Sequence, residues 1–236
     1  PNGAANIFAL LSASSYICIT DYSMEKILFL FDLDGVVFDT EEQYSLFWNA
    51  IGEKYKGDAD FAIKIKGQTL PEIFSRHFAD NEPLQRELVE GINNLERNMA
   101  YEYIPGAKEF IETVAASGMP RAIVTSSNRA KMENVYRARP EILKLFDKIF
   151  TGEDFARSKP APDCYLKGME EFVVPANHTF IFEDSISGLQ AAKSSEGNVI
   201  ALATTNPASV VAPYAGLVID NFKGVSITML RNAFML

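Results

Sequence analysis

The stretch Ile27-Leu28-Phe29-Leu30-Phe31-Asp32-Leu33-Asp34-Gly35 decides the fold. Five apolar residues run without a break up to Asp32, lacking the alternation of a strand with one wet face, and so read as a β-strand buried on both sides. Strands of this kind belong to parallel sheets covered by helices. Similar runs recur at Ala122-Ile123-Val124, Lys148-Ile149-Phe150, Thr179-Phe180-Ile181-Phe182, Val199-Ile200-Ala201-Leu202 and Leu217-Val218-Ile219. Between them, Ala107 to Ser117 puts Phe110, Ile111 and Val114 on one helical face, and Cys164 to Phe172 does the same with Leu166 and Met169. Strand and helix alternate, which predicts an α/β fold: a doubly wound parallel sheet with helices on both faces.

That rhythm breaks once. From Glu41 to Tyr103 the spacing is helical only, with Tyr44, Phe47, Trp48 and Ile51, then Leu84, Leu88, Ile92 and Leu95. The expected organisation is therefore a core of residues 24–40 and 105–236 and a small all-helical domain of residues 41–104. Gly67-Gln68-Thr69-Leu70-Pro71 predicts a turn inside the helical part, and Pro105-Gly106 the return to the sheet. Residues 1–23, ahead of Met24, are set aside as an expected cloning or gene-start extension.

The chain has 236 residues, and 22 basic against 31 acidic residues give a net charge of −9. With no basic patch to override it, that charge argues against nucleic acid or an anionic membrane as partner. Cys18 and Cys164 lie far apart with no CxxC spacing, so neither a disulfide framework nor a zinc site is expected, and a reducing, cytoplasmic setting is the default. No apolar run reaches the roughly 20 residues that span a bilayer. Asn6 to Thr20 comes nearest, but Ser12, Ser14 and Ser15 interrupt it, and it lacks the positive flank of a signal peptide.

In open parallel sheets ligands bind beyond the carboxyl ends of the strands. The residues there are Asp32 and Asp34 after the first strand, Thr125 and Ser126 after the second, Lys159 beyond the third, and Glu183 with Asp184 after the fourth. Carboxylates gathered on one rim repel one another, and a hard divalent cation with oxygen ligands resolves that. Magnesium fits best because it keeps part of its shell for waters and a substrate phosphate. Lys159 and the Thr125 hydroxyl would face the phosphoryl oxygens, while one of the two first-strand aspartates attacks phosphorus and the other handles protons.

The segment Phe31 to Thr40, with Asp32-Leu33-Asp34-Gly35 at its centre, resembles the first signature of the haloacid dehalogenase superfamily in its phosphatase and phosphomutase branch. Ile123-Val124-Thr125-Ser126-Ser127-Asn128 is similar to the second signature, Lys159-Pro160-Ala161-Pro162-Asp163 to the third, and Phe182-Glu183-Asp184-Ser185 with Gly188 to the fourth. A helical insert after the first signature resembles the family's type 1 cap. The resemblance implies Asp32 as nucleophile, Asp34 as general acid and base, and Thr125, Ser126 and Lys159 as phosphoryl holders. It implies magnesium held by an Asp32 oxygen, the Asp34 backbone carbonyl and Asp184, with Glu183 contributing. The presence of Asp34 sets the chain apart from the dehalogenase branch, which lacks this second aspartate.

Within the family the chain resembles β-phosphoglucomutase and phosphoglycolate phosphatase-like enzymes, with two departures. Tyr44 stands where the mutase has a histidine, and Leu70 where it has the arginine that holds a second phosphate. A leucine cannot make charged bidentate bonds, so hydrolysis of a small phosphorylated metabolite is expected ahead of a hexose phosphate mutase, although Lys64, Lys66 or Arg76 could substitute. A monomer or weak homo-oligomer is expected. Among bland readings, Asp39 and Thr40 are taken to cap the first cap helix, Tyr44, Phe47 and Trp48 to form cap core, and His77 and His178 to have no metal role.

Overall fold

A computed structural model of the protein describes residues 26–66 and 68–236. The expectation for residues 1–23, with Cys18, lies outside the described residues, as does Gly67 of the expected turn.

The first strand, β1 (Leu28–Phe31), leads into four helices: α1 (Glu41–Lys56), α2 (Phe61–Ile65), α3 (Leu70–His77) and α4 (Glu82–Asn98). Strand and helix then alternate through α5 (Ala107–Ala116), β2 (Arg121–Val124), α6 (Arg129–Ala138), α7 (Ile142–Leu145), β3 (Lys148–Phe150), α8 (Asp163–Phe172) and β4 (Thr179–Glu183). The chain continues with α9 (Ile186–Ser194), β5 (Asn198–Leu202), α10 (Ala208–Val211), β6 (Leu217–Ile219) and α11 (Ile227–Phe234). The six strands form one sheet in the order β3-β2-β1-β4-β5-β6, every neighbouring pair parallel. The chain winds outward from β1 in both directions, so the strand order reverses at the middle of the sheet, where crevices open in folds of this type.

Side-chain alternation explains why β1 is apolar throughout. Phe29 and Phe31 enter the cluster formed with Phe110, Ile111 and Val114 of α5, Met132 and Val135 of α6, and Leu230 of α11. Leu28 and Leu30 enter the opposite cluster, with Cys164, Tyr165 and Met169 of α8 and Leu189 and Ala191 of α9. Phe31 and Phe182 stack across the first cluster at 4.6 Å, an offset aromatic pair that helps register β1 against β4. The edge strands β3 and β6 are less buried, as their single paired side allows.

Helices α1–α4 pack about a cluster of their own, Trp48, Phe61, Ile65, Ile73, Phe78, Leu84 and Leu88. Trp48 and Phe47 belong to it as expected, but Tyr44 does not belong to it alone: its ring also packs against the sheet-side cluster. Pro71 does not lie in the turn. It occupies the first turn of α3, where its missing N–H costs nothing, and Thr69 and Glu72 form the capping box that starts the helix. Among the described residues no helix is long and apolar enough to cross a membrane.

Candidate active site

Asp32 leaves β1 with its backbone N–H bonded to the Phe182 carbonyl of β4, so its side chain stands at the reversal point. Lys159 reaches it from the loop before α8, with Nζ 2.6 Å from Asp32 Oδ1, 3.5 Å from Glu183 Oε1 and 3.2 Å from the Val124 carbonyl. Oxygens of Asp32, Glu183 and Asp184 all lie within 4.8 Å of one another, and all three residues are buried. Of the residues read from the strand ends, Asp32, Lys159, Glu183 and Asp184 therefore form a single cluster.

Backbone geometry makes room for it. Gly35 has φ +73°, and a Cβ there would lie 2.1 Å from Asp184 Oδ2, so only glycine lets the chain turn out of β1 beside that carboxylate. The Thr205 hydroxyl bonds to Asp184, Asn206 Nδ2 donates to the Asp184 carbonyl at 3.1 Å, and Thr204 Oγ1 donates to the Gly35 carbonyl at 2.6 Å. The turn after β5 thus braces the metal-ligand candidates, a contribution the strand-end list missed because it stopped at β4. A Thr-Thr-Asn run directly after an apolar strand was the available signal.

The electrostatics are unbalanced without a cation. Burial raises the Asp184 carboxyl well above its ordinary value, and the Glu183 and Asp32 charges raise it further. Burial pushes Glu183 up to about 7, against the pull of Lys159. Asp32 is raised by burial in spite of the lysine, and Lys159 is held well above its usual value because the Asp32 and Glu183 charges outweigh its own burial. Fully ionised, three carboxylates would face one ammonium, an excess of two negative charges on oxygen donors that the raised pKa values oppose. That donor set fits a hard divalent cation.

Asp34 lies outside this cluster. Its Oδ1 accepts from Thr40 Oγ1 at 2.7 Å and its Oδ2 from Ser127 Oγ at 3.0 Å, while Lys131 Nζ bonds to both oxygens at 2.7 and 2.6 Å. Burial alone would raise its pKa, but the Lys131 charge and these hydrogen bonds hold it below the ordinary carboxylate value. The arrangement corrects the capping expectation for Thr40: the residue stands at the α1 N-cap position, but its hydroxyl is taken by Asp34 and makes no cap bond. Asp39 is exposed and caps nothing through its side chain. Lys131 was not singled out in the sequence, because a lysine on a helix six residues past Thr125 carries no local mark of burial.

Thr125 is buried beside the cluster and its hydroxyl oxygen accepts from the Ser127 N–H at 3.0 Å, which leaves the hydroxyl proton for another acceptor. Ser126 is exposed, and among the described residues its side chain makes no hydrogen bond to the cluster. Of the cations proposed for a second phosphate, Lys64 is paired with Asp58 and Lys66 with Glu41. His77 packs edge-on against Phe61, and neither histidine joins the acidic cluster.

Comparison with known proteins identifies the family and the fold. Residues 29–202 match the family described as haloacid dehalogenase-like hydrolase. The Saccharomyces cerevisiae protein named "Probable pseudouridine-5'-phosphatase" is 31% identical over 191 residues, covering 72% of this chain and 80% of that one. The crystal structure of a HAD hydrolase of family IA, variant 3, from Entamoeba histolytica superposes with a TM-score of 0.78 at 22% identity, over 89% of this chain and 100% of that one. That of β-phosphoglucomutase from Clostridium difficile does so with a TM-score of 0.72 at 20% identity, over 89% and 97%. With the signatures, the sheet order and the acidic rim in agreement, the chain belongs to the haloacid dehalogenase-like hydrolase family.

Proposed function

We propose that the protein is a magnesium-dependent phosphatase that hydrolyses a small phosphorylated metabolite, a sugar phosphate or similar, through an aspartyl phosphate on Asp32. The observation that carries this reading is the Asp32–Glu183–Asp184 cluster with Lys159 2.6 Å from Asp32. Asp32 attacks phosphorus, and the bond to the leaving oxygen breaks as Asp34 gives that oxygen a proton. Asp34 then takes a proton from water, which attacks the aspartyl phosphate and releases inorganic phosphate. Lys159, with the Thr125 and Ser126 hydroxyls, holds the phosphoryl oxygens. Asp32, Asp184 and Glu183, with the Asp34 backbone carbonyl, would hold the ion. Bound magnesium would neutralise the carboxylates and polarise the phosphoryl group.

Residues 41–104 act in this reading as a cap that excludes water and selects the leaving group. A mutase would need a cation for a second phosphate. Leu70 cannot supply it, and of the three cations that could, Lys64 and Lys66 are engaged in ion pairs, which leaves Arg76. The test is phosphate release from a panel of phosphorylated metabolites with magnesium. Asp32→Asn should lower kcat by about three orders of magnitude or more with an unchanged circular dichroism spectrum. A variant that keeps magnesium-dependent turnover would refute the nucleophile assignment, and accumulation of an isomeric hexose phosphate in place of free phosphate would favour the mutase.

A further inference from the structure

Lys131 takes no part in the reaction as drawn, and a buried ammonium without a partner costs several kcal/mol. At 6% exposure it is placed with unusual definition. The Asn128 side chain, at the N-cap of α6, accepts from the Lys131 backbone N–H at 2.8 Å. Its Nζ spans both oxygens of Asp34 and sits 4.9 Å over the Tyr44 ring, and the Tyr44 hydroxyl bonds in turn to Glu96 of α4 at 2.8 Å. Tyr44 and Glu96 come from the helical insert, Lys131 and Asp34 from the sheet side, so the lysine is fixed where the two meet.

We propose that Lys131 is a positioning residue for Asp34: with Thr40 and Ser127 it fixes the orientation of the carboxylate that, in the phosphatase reading, passes a proton to the leaving oxygen. The inference rests on the phosphatase reading and deepens it. During transfer the Asp32–phosphorus bond forms, the phosphorus–oxygen bond breaks with its electron pair going to the leaving group, and the proton from Asp34 neutralises that oxygen. A leaving group that is stable as an anion needs no such proton, whereas a basic one does. Losing the orientation of Asp34 penalises basic leaving groups selectively, and on this proposal that penalty outweighs the readier protonation of Asp34 once the Lys131 charge is removed. A lysine that merely supported the fold would affect all substrates alike.

The experiment compares kcat/KM of the wild type and Lys131→Met for substituted phenyl phosphates, from p-nitrophenyl phosphate to phenyl phosphate, with magnesium. This quantity covers steps up to phosphoryl transfer and excludes hydrolysis of the aspartyl phosphate, which all substrates share. The expected result is a loss of roughly tenfold or more for phenyl phosphate and within about twofold for p-nitrophenyl phosphate. Equal losses across the series, or a gain for the basic leaving groups, would overturn the proposal. If Lys131→Met does not fold, Lys131→Gln, which keeps a donor and drops the charge, carries the same comparison. Failure of the phosphatase reading is separate, because it would appear as absent phosphate release in the wild type.

Discussion

A Cβ on Gly188 would lie 1.5 Å from Glu183 Oε1, so the first turn of α9 can pass the cluster only where a side chain is missing. The same carboxylate accepts from Ser185 Oγ at 2.7 Å, and Ser185 Oγ in turn accepts from the Gly188 N–H at 3.1 Å. Gly188→Ala should therefore push Glu183 out of place and weaken magnesium binding by about tenfold or more, the scale of lost support around a metal site. Titration calorimetry would measure this, and unchanged affinity would remove Glu183 from the ion's surroundings. At this scale the residues on strand ends were legible in the sequence, because their position follows from where the continuous apolar runs stop. Lys131, Ser127 and Thr205 were not, since their value lies in partners 97, 93 and about 20 residues away that only folding brings near.

Two helix starts look alike in sequence and differ in the fold. Asn81 caps α4 through its side chain, which accepts from the Leu84 N–H at 3.0 Å, whereas Thr40 before α1 spends its hydroxyl on Asp34. Asn81→Ala should cost about 1 kcal/mol in urea unfolding, as loss of a working cap does. Thr40→Val should leave the unfolding midpoint nearly unchanged and lower turnover several-fold, because one of the three donors on Asp34 is gone. A shift of the midpoint in Thr40→Val as large as that in Asn81→Ala would return Thr40 to a capping role. The strands were readable within a residue or so, their apolar runs being bounded by polar ends. Helix α3 was not, because Pro71 signals a turn and a first helical turn equally well.

Across the whole molecule the acidic cluster couples stability to pH and metal. With Asp184 and Asp32 raised and Glu183 at about 7, the native metal-free protein binds more protons than the unfolded chain above about pH 4. The stabilisation from these groups is complete below the unfolded carboxylate pKa and lost as pH rises through the folded values. Asp34, shifted the other way, matters only below about pH 4. Thermal melting in EDTA should therefore drop between about pH 5 and 7.5, and magnesium should raise it most at the upper end of that window. Glu183→Gln should flatten the slope, and a melting temperature indifferent to pH and magnesium would contradict the charge imbalance. The sheet order has a consequence for synthesis. Strand β1 is made before β2 and β4 but lies between them, so until residue 183 is made one of its edges and the Asp32 side of the crevice stay open. Nascent chains halted before β4 would offer a sticky strand to their neighbours and would lack Glu183 and Asp184, so the acidic cluster can close only after the fourth strand has been made.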